Sequence, residues 1–524
     1  MRVLCTASFL VAASFGRAAS EPVSVATLRA GVVSEGPLKL SVAVDQALGR
    51  NLGLAVTRLD AVRSLDTIEQ AEAAFDPVFG WSNRMNGARS STDRLLGLPS
   101  ARGFDSDLSL SRKFTWGGTL TFGTGLTRQW LDGNGVGSTA SKFDFTTGIS
   151  YTQPLLAGAG RAVNLSTLIA TKQGATRSRL GLRAAVLDLI RDTEVSYWSL
   201  AGARTLVALR ETSLRSAESL LAQIRAKRNL GDATILEELQ ANADVANQQV
   251  GVLNARQAVD GAEMRLRRLL GKGDAVEVEQ AVIVESIPLT AVPAPEVFSK
   301  WIRQAAEFDF ETAIQLASLV QADAFLDAAR QNDAPQLDLT LSGANVGPAV
   351  AGFSQSYDGL RNRAGWNNAV NLTLRIPLGY REAEATLRSA TRARRQAELR
   401  LADVRQALVF NARAAWRDLE ATRARVEAAT SALELQRQSY EGERARYSAG
   451  QSDVLRVLQA QAALDTSQLA WVQSHQDARV ASARVARLDG SILSRYGFTM
   501  DLVEQKVGTG LGAEDPLPPL PVTP

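Results

Sequence analysis

Residues 231–271 read GDATILEELQANADVANQQVGVLNARQAVDGAEMRLRRLLG, and residues 450–490 read GQSDVLRVLQAQAALDTSQLAWVQSHQDARVASARVARLDG. Both stretches open and close on glycine at equal spacing. At an offset of 219, Ile235 falls on Val454, Leu236 on Leu455, and Leu239-Gln240-Ala241 on Leu458-Gln459-Ala460. Ala262 then falls on Ala481 and Leu269 on Leu488. A fixed-offset match of this kind signals internal duplication, which decides how the rest of the chain is read.

The duplication reaches upstream at other offsets. Gln46-Ala47 matches Gln304-Ala305, Ala71 matches Ala329 and Pro77 matches Pro335, all 258 apart. Gln153-Pro154-Leu155 resembles Ile376-Pro377-Leu378 at an offset of 223. The offset falls because the first copy carries more sequence between its prolines. Each half therefore runs helix, strands, Pro-Leu, long helix, glycine, second helix.

Between the prolines the pattern is that of strands. In 142–152, Phe143, Phe145, Ile149 and Tyr151 share one face, and Asp144, Thr146, Gly148 and Ser150 share the other. The same alternation marks Leu120, Phe122, Leu126 and Trp130, and also Phe104, Leu108, Leu110 and Phe114. In the second half it marks Leu337, Leu339 and Leu341, and Val370, Leu372, Leu374 and Ile376. Runs of about ten residues are what a tilted membrane-barrel strand needs. A half-buried soluble sheet also alternates. The connections favour the barrel: 88–103, 131–141 and 346–365 are long and polar, whereas Trp116-Gly117-Gly118 is a tight turn. Four strands are expected in the first half, near 78–87, 104–114, 118–130 and 142–153, and two in the second. Six strands do not close a useful channel, so several chains are expected to share one barrel.

The remainder is helical. More than seventy residues without proline separate Pro154 from Gly231, and again Pro377 from Gly450. Ala, Leu, Arg, Glu and Gln dominate there, all strong helix formers. At 1.5 Å per residue each stretch reaches about 100 Å. Ala415, Leu419, Thr422, Val426, Ala429, Leu433, Gln436 and Tyr440 step by four and three, as a coiled-coil seam does. Much of this seam is small or polar, so such helices pack side by side as a bundle or as the wall of a tube.

Composition excludes other classes. With 58 basic and 55 acidic side chains the net charge is +3, and no like-charge block marks a nucleic-acid surface. The one histidine, His475, has no cysteine near it, so neither a metal site nor histidine-based catalysis is expected. Gly158-Ala159-Gly160 lacks the lysine and the βαβ setting of a phosphate loop, and reads as a strand-to-helix elbow. No catalytic residue, metal or cofactor is expected. Arg2, the apolar stretch 3–15 and Ala18-Ala19-Ser20 have the form of an export signal, which would remove Cys5, the one cysteine.

Four motifs carry a resemblance. Tyr151-Thr152-Gln153-Pro154-Leu155-Leu156 ends a strand, and Val195-Ser196-Tyr197-Trp198-Ser199-Leu200 lies in the first long helix. Tyr447-Ser448-Ala449-Gly450 lies at a helix turn, followed by Val457-Leu458-Gln459-Ala460-Gln461. Together with the duplication, these resemble the TolC family of outer-membrane efflux proteins from about residue 40 to 490. The resemblance implies a homotrimer: a β-barrel in outer-membrane lipid, continued by a long α-helical barrel across the periplasm. It also implies a periplasmic adaptor (a membrane fusion protein) and an inner-membrane pump. The family usually places two strands in each repeat, twelve per trimer, whereas six per chain would give eighteen.

On that basis the chain divides as follows. A signal peptide covers 1–20, an extended segment 21–41, a helix 42–75, barrel strands 76–154 and tunnel helices 161–271. A linker covers 272–296, then a helix 297–334, strands 335–378, tunnel helices 381–490 and a Pro-rich tail 491–524. Pro154 and Pro377 mark the strand-to-helix junctions. The resemblance places adaptor docking at the helix tips, around Gly231, Tyr447 and Gly450. It places a pore gate just beyond them, with Asp232, Glu237, Glu238, Asp453, Arg456 and Gln459 as candidates. Family members tend to carry acids there; Arg456 and Gln459 depart from that pattern. Glu237 and Arg456, equivalent at the 219 offset, are expected to hold the tip shut through mixed-sign contacts. The expected function is the exit duct of a tripartite efflux or type I secretion machine. The alternative is a periplasmic spacer or envelope-attachment protein that transports nothing, which would have no use for lipid-facing rows.

Overall fold

The computed structural model describes residues 38–88, 100–132, 140–273, 284–285, 297–363 and 365–500. The expected signal peptide, the linker apart from 272–273 and 284–285, and the chain beyond 500 lie outside the described residues. Two long hairpins dominate: α3 (Arg161–Leu230) with α4 (Ile235–Leu269), and α8 (Arg381–Ser448) with α9 (Val454–Leu488). At 70 and 68 residues, α3 and α8 span about 105 and 102 Å. Along α8 the expected seam is the inward stripe. Leu419, Thr422 and Tyr440 are buried, and Ala415, Val426, Ala429, Leu433 and Gln436 are half-buried.

The expected helix over 42–75 is two helices, α1 (Leu40–Arg50) and α2 (Leu52–Glu72), ending in a short 3-10 turn. Asn51 breaks them: its backbone is extended, its side chain caps α2 through the Leu54 N–H, and its amide donates to the Leu269 carbonyl. The second-half counterpart also divides, into α5 (Phe298–Glu307) and α6 (Phe310–Asn332). The expected tail from 491 begins with a short helix, α10 (Ser491–Arg495), which buries Ile492 and Leu493 in the main core. That core gathers α1, α3, α4 and the end of α9. Tyr197 is fully buried within it. Its hydroxyl donates to the Leu38 carbonyl and accepts from the Glu285 N–H, tying the first described residues to the inter-repeat linker. Burial pushes its phenol up to about 12.

At the far end of the helices lie six strands: β1 (Val78–Ala88), β2 (Ser100–Lys113), β3 (Thr119–Asp132), β4 (Ala140–Pro154), β5 (Gln336–Val346) and β6 (Gly365–Arg375). They form one antiparallel meander in chain order, with β4 paired to β5 across the two repeats. The expected count of four plus two is the observed one. A helix, α7 (Phe353–Arg361), lies in the β5–β6 connection and sets Phe353 and Tyr357 against Phe143 and Phe145.

Cross-strand partners share a face of a sheet, and the register sorts this one cleanly. One face carries the rows Phe79–Leu110–Phe122–Ile149 and Leu120–Tyr151–Leu341–Val370. The other carries Ser111–Thr121–Ser150–Ser342 and Arg84–Asp105–Thr127–Asp144. Away from the patch that α7 covers, the apolar face is exposed: Phe79 by 68%, Ile149 by 52% and Val370 by 76%. No helix among the described residues is long and apolar enough to cross a membrane. Strands β1 and β6 are the edges of the sheet, and each has a neighbour on one side only.

Candidate functional site

Both hairpins turn through the same backbone device. Gly231 (φ 88°) and Gly450 (φ 73°) adopt the left-handed conformation that glycine tolerates best. Asp232 N–H donates to the Lys227 carbonyl at 2.9 Å, and Gln451 N–H to that of Arg446 at 2.8 Å. These are equivalent helix-ending bonds. Gly271 and Gly490 close the duplicated segments with the same left-handed backbone.

The return helices start differently in the two copies. On α4, Thr234 accepts from the Glu237 N–H at 3.2 Å, and the Glu237 carboxylate accepts from the Thr234 N–H at 2.6 Å. This reciprocal capping box is legible as Thr-x-x-Glu, yet it escaped the sequence reading. On α9, Asp453 accepts from the Arg456 N–H at 2.8 Å, and the Arg456 guanidinium lies 3.7 Å from the same carboxylate. Glu237 and Arg456 therefore bond at their own helix starts. Within the chain they form no ion pair with each other among the described residues, and the expected mixed-sign contact is left to contacts between chains.

The remaining candidates are also placed. Glu238 receives Arg225 at 3.0 Å and also Arg228, both near the end of α3. Asp232 and Gln459 are exposed at the tips. Tyr447 is not a surface group: it is buried with Leu220, Ile224, Tyr440, Val454 and Val457 in a cluster shared by all four long helices. Burial pushes its phenol up, and the Glu237 carboxylate adds to the shift. Pro154 ends β4, and Pro377 lies between β6 and α8.

The bond that ties one tip to the other involves a residue outside the expected set. Lys227 Nζ donates to the Tyr447 carbonyl at 3.3 Å and lies 4.1 Å from the centre of its ring. Arg444 adds a second tie, donating to Ser219 Oγ at 3.3 Å. The tips also differ in their apolar surface. Leu230, Ile235, Leu236 and Leu239 are exposed on the first hairpin, Leu236 by 64%. The second hairpin has Ala449 opposite Leu230, and its Val454, the counterpart of Ile235, is only 1% exposed.

Further along the helices, a buried polar cluster joins the repeats. Asp465 on α9 accepts from Ser213 Oγ and Gln248 Nε2, each at 2.7 Å, and from Gln461 Nε2 at 3.1 Å. Arg210 lies 3.5 Å away. Burial pushes the neighbouring Asp244 carboxyl up; Gln248 opposes the shift and the Asp465 charge adds to it. The first-repeat counterpart of Asp465 is Ala246, so the duplication does not reveal this cluster. A charge on one copy where the other has alanine was the available signal. His475 is buried against Trp471 at 4.7 Å, and burial with nearby Arg479 pushes its imidazole down, so it serves as a neutral packing group.

The family model for outer membrane efflux proteins matches residues 43–272 and 301–491. Protein CyaE of Bordetella pertussis is 28% identical over 296 residues, which cover 53% of this chain and 57% of CyaE. The chain thus spans little more than half the length of that relative. The fold is that of solved outer-membrane channels. The CmeC channel of Campylobacter jejuni superposes with a TM-score of 0.67 at 17% identity, covering 91% of this chain and 90% of CmeC. A membrane protein from Pseudomonas aeruginosa gives 0.65 at 22% identity, over 86% of this chain and 93% of that one. The open state of the Neisseria gonorrhoeae MtrE channel gives 0.61 at 17%, over 86% and 88%. The family match covers most of both halves of the duplicated chain, and the chain belongs to the outer membrane efflux protein family, the TolC-type channels.

Proposed function

We propose that three copies of this chain form one exit duct, a single barrel in the outer membrane continued by a periplasmic tunnel of twelve long helices. The observation that carries this reading is the six-stranded sheet, apolar and exposed on one face, polar on the other, and open at both edges. An unpaired strand edge is not tolerated in lipid. The partner that matches β1 is another chain's β6, both eleven residues long. Three copies then close eighteen strands, the size at which a barrel holds an aqueous channel. A periplasmic spacer has no use for such an apolar face.

The duct works with a periplasmic adaptor and an inner-membrane pump, in efflux or type I secretion. The adaptor meets the tips at Gly231 and Gly450, with the leucine patch of the first hairpin beside it and Tyr447 bracing the turn from within. The gate is the ring of tips, where Lys227 holds Tyr447 and where Asp232, Glu237, Glu238, Asp453, Arg456 and Gln459 face neighbouring copies. Exposed pairs contribute about 0–1 kcal/mol each, so three copies make a latch that a docked partner releases.

Single-channel recording tests the gate. Lys227→Glu and Arg456→Glu are each expected to raise the conductance of the reconstituted protein several-fold, and to increase antibiotic leakage in cells. Unchanged conductance in both variants removes the latch.

A further inference from the structure

The apolar face of the sheet ends in cations. Along β2 the side chains on this face run Arg112, Leu110, Leu108, Ser106, Phe104, Arg102. At about 3.4 Å per residue and a tilt near 40°, the ten-residue step between the two arginines rises roughly 25 Å, the height of a barrel's apolar band. Arg112 lies at the end where the sheet joins the helices, and donates to the Phe75 carbonyl. Arg102 lies at the opposite end. On the exit-duct reading, which this inference rests on, that end faces the external leaflet.

Arg128 on β3 lies at the same level. Phe104 is its cross-strand partner on β2 and Phe143 on β4, while Arg102 faces Trp130. Arg102 and Arg128 are therefore diagonal neighbours, with about 7–8 Å expected between their positions. The Arg128 guanidinium is held between two rings, 4.6 Å from the centre of Trp130 and 4.9 Å from that of Phe143. Its Nε is buried without a hydrogen-bond partner. The nearby carboxylates Asp105, Asp107 and Asp144 alternate onto the opposite face, and among the described residues none forms an ion pair with Arg128.

A cation on the lipid-facing side of a barrel is costly unless it meets an anion at the interface. The planar guanidinium fork matches a phosphate in both shape and charge. Phe104 and Phe143 flank Arg128, with Phe353 of α7 packed edge-on against Phe143, and Leu126, Leu108 and Leu110 continue the apolar face below the arginines. The geometry points to a lipid-binding site at Arg102, Arg128, Trp130 and Phe143 that takes the phosphate of a phosphorylated glycolipid in the external leaflet. The apolar row running down from the arginines selects a membrane lipid over a free phosphate ion.

Native mass spectrometry of the assembled full chain tests this, with bisphosphorylated lipid A and its dephosphorylated form as probes. The wild type is expected to retain the phosphorylated lipid about tenfold better, the scale of one charge-assisted bond. Arg128→Gln should erase that preference, and Arg128→Lys should keep part of it by retaining charge without the fork. Equal retention of the two lipids by the wild type overturns the proposal. So does an unchanged preference in Arg128→Gln, or displacement of the lipid by inorganic phosphate alone. Conductance of the same preparation separates the two readings: a conducting protein with no phosphate preference rejects this site and leaves the duct standing.

Discussion

Ile149→Arg is expected to abolish heat-resistant, membrane-inserted assembly, whereas Ser150→Arg, one residue along the same strand, should leave it intact. The two positions differ only in the face they occupy. Ile149 is aligned with Phe122 on the apolar face, and Ser150 with Thr121 and Ser342 on the polar one. Ile149 lies within the apolar band, one same-face step from the row of Arg112, Leu120 and Tyr151. An arginine on a barrel's lipid face costs about 2–4 kcal/mol at the midplane and less toward the interfaces. In a trimer that cost is incurred three times, a substantial fraction of the roughly 5–15 kcal/mol that stabilises a typical domain. On the lumen face the same side chain meets water and neighbouring hydroxyls. Membrane fractionation and gel migration before and after heating read the difference. Equal behaviour of the two variants contradicts the assignment of faces.

The second large effect belongs to Asp465→Ala. This carboxylate is the shared acceptor for Ser213, Gln248 and Gln461, with Arg210 beside it, and all but Arg210 are buried. Removing it leaves several buried donors and a cation without their anion. Breaking a buried charge network in this way costs about 3–5 kcal/mol. Because Asp465 lies on α9 and its partners include α3 and α4, the loss also loosens the contact between the repeats. Asp465→Asn keeps an acceptor oxygen and should cost less. Asp477, on the same helix but exposed, is the control: its pair with Arg425 at 3.3 Å is solvated, and Asp477→Ala should change stability by less than about 1 kcal/mol. Thermal unfolding of the three variants orders them. Equal melting of Asp465→Ala and Asp477→Ala refutes a structural role for the cluster.

The duplication, the six strands and the sorting of Phe143, Ile149 and Tyr151 from Asp144 and Ser150 were legible because each rests on spacing along the chain. So was the inward stripe of α8. Spacing is blind to what a distant element brings. At Asn51 the cap on Leu54 is local, but the bond that fixes the break, from its amide to the Leu269 carbonyl, spans more than two hundred residues. Lys227 reads as one more base at a helix end until Tyr447 is placed beside it. Glu237 shows the converse: its Thr-x-x-Glu capping box is local and readable from spacing alone. Tyr447 belongs to one of the four motifs, and only the packing of the four long helices shows that its side chain is buried. Arg128 interrupts the apolar alternation of β3, and only the register and the rings of Trp130 and Phe143 around it give that position a meaning.

On the proposed reading, three chains close one eighteen-stranded barrel. Electron cryo-microscopy of the purified assembly in a lipid nanodisc tests it most directly, by counting strands around the membrane section. Threefold symmetry with eighteen strands is expected, β6 of each chain hydrogen-bonded to β1 of the next. A twelve-stranded ring with the β1–β2 hairpin set apart from the wall, or a monomer whose sheet stays open, would contradict it.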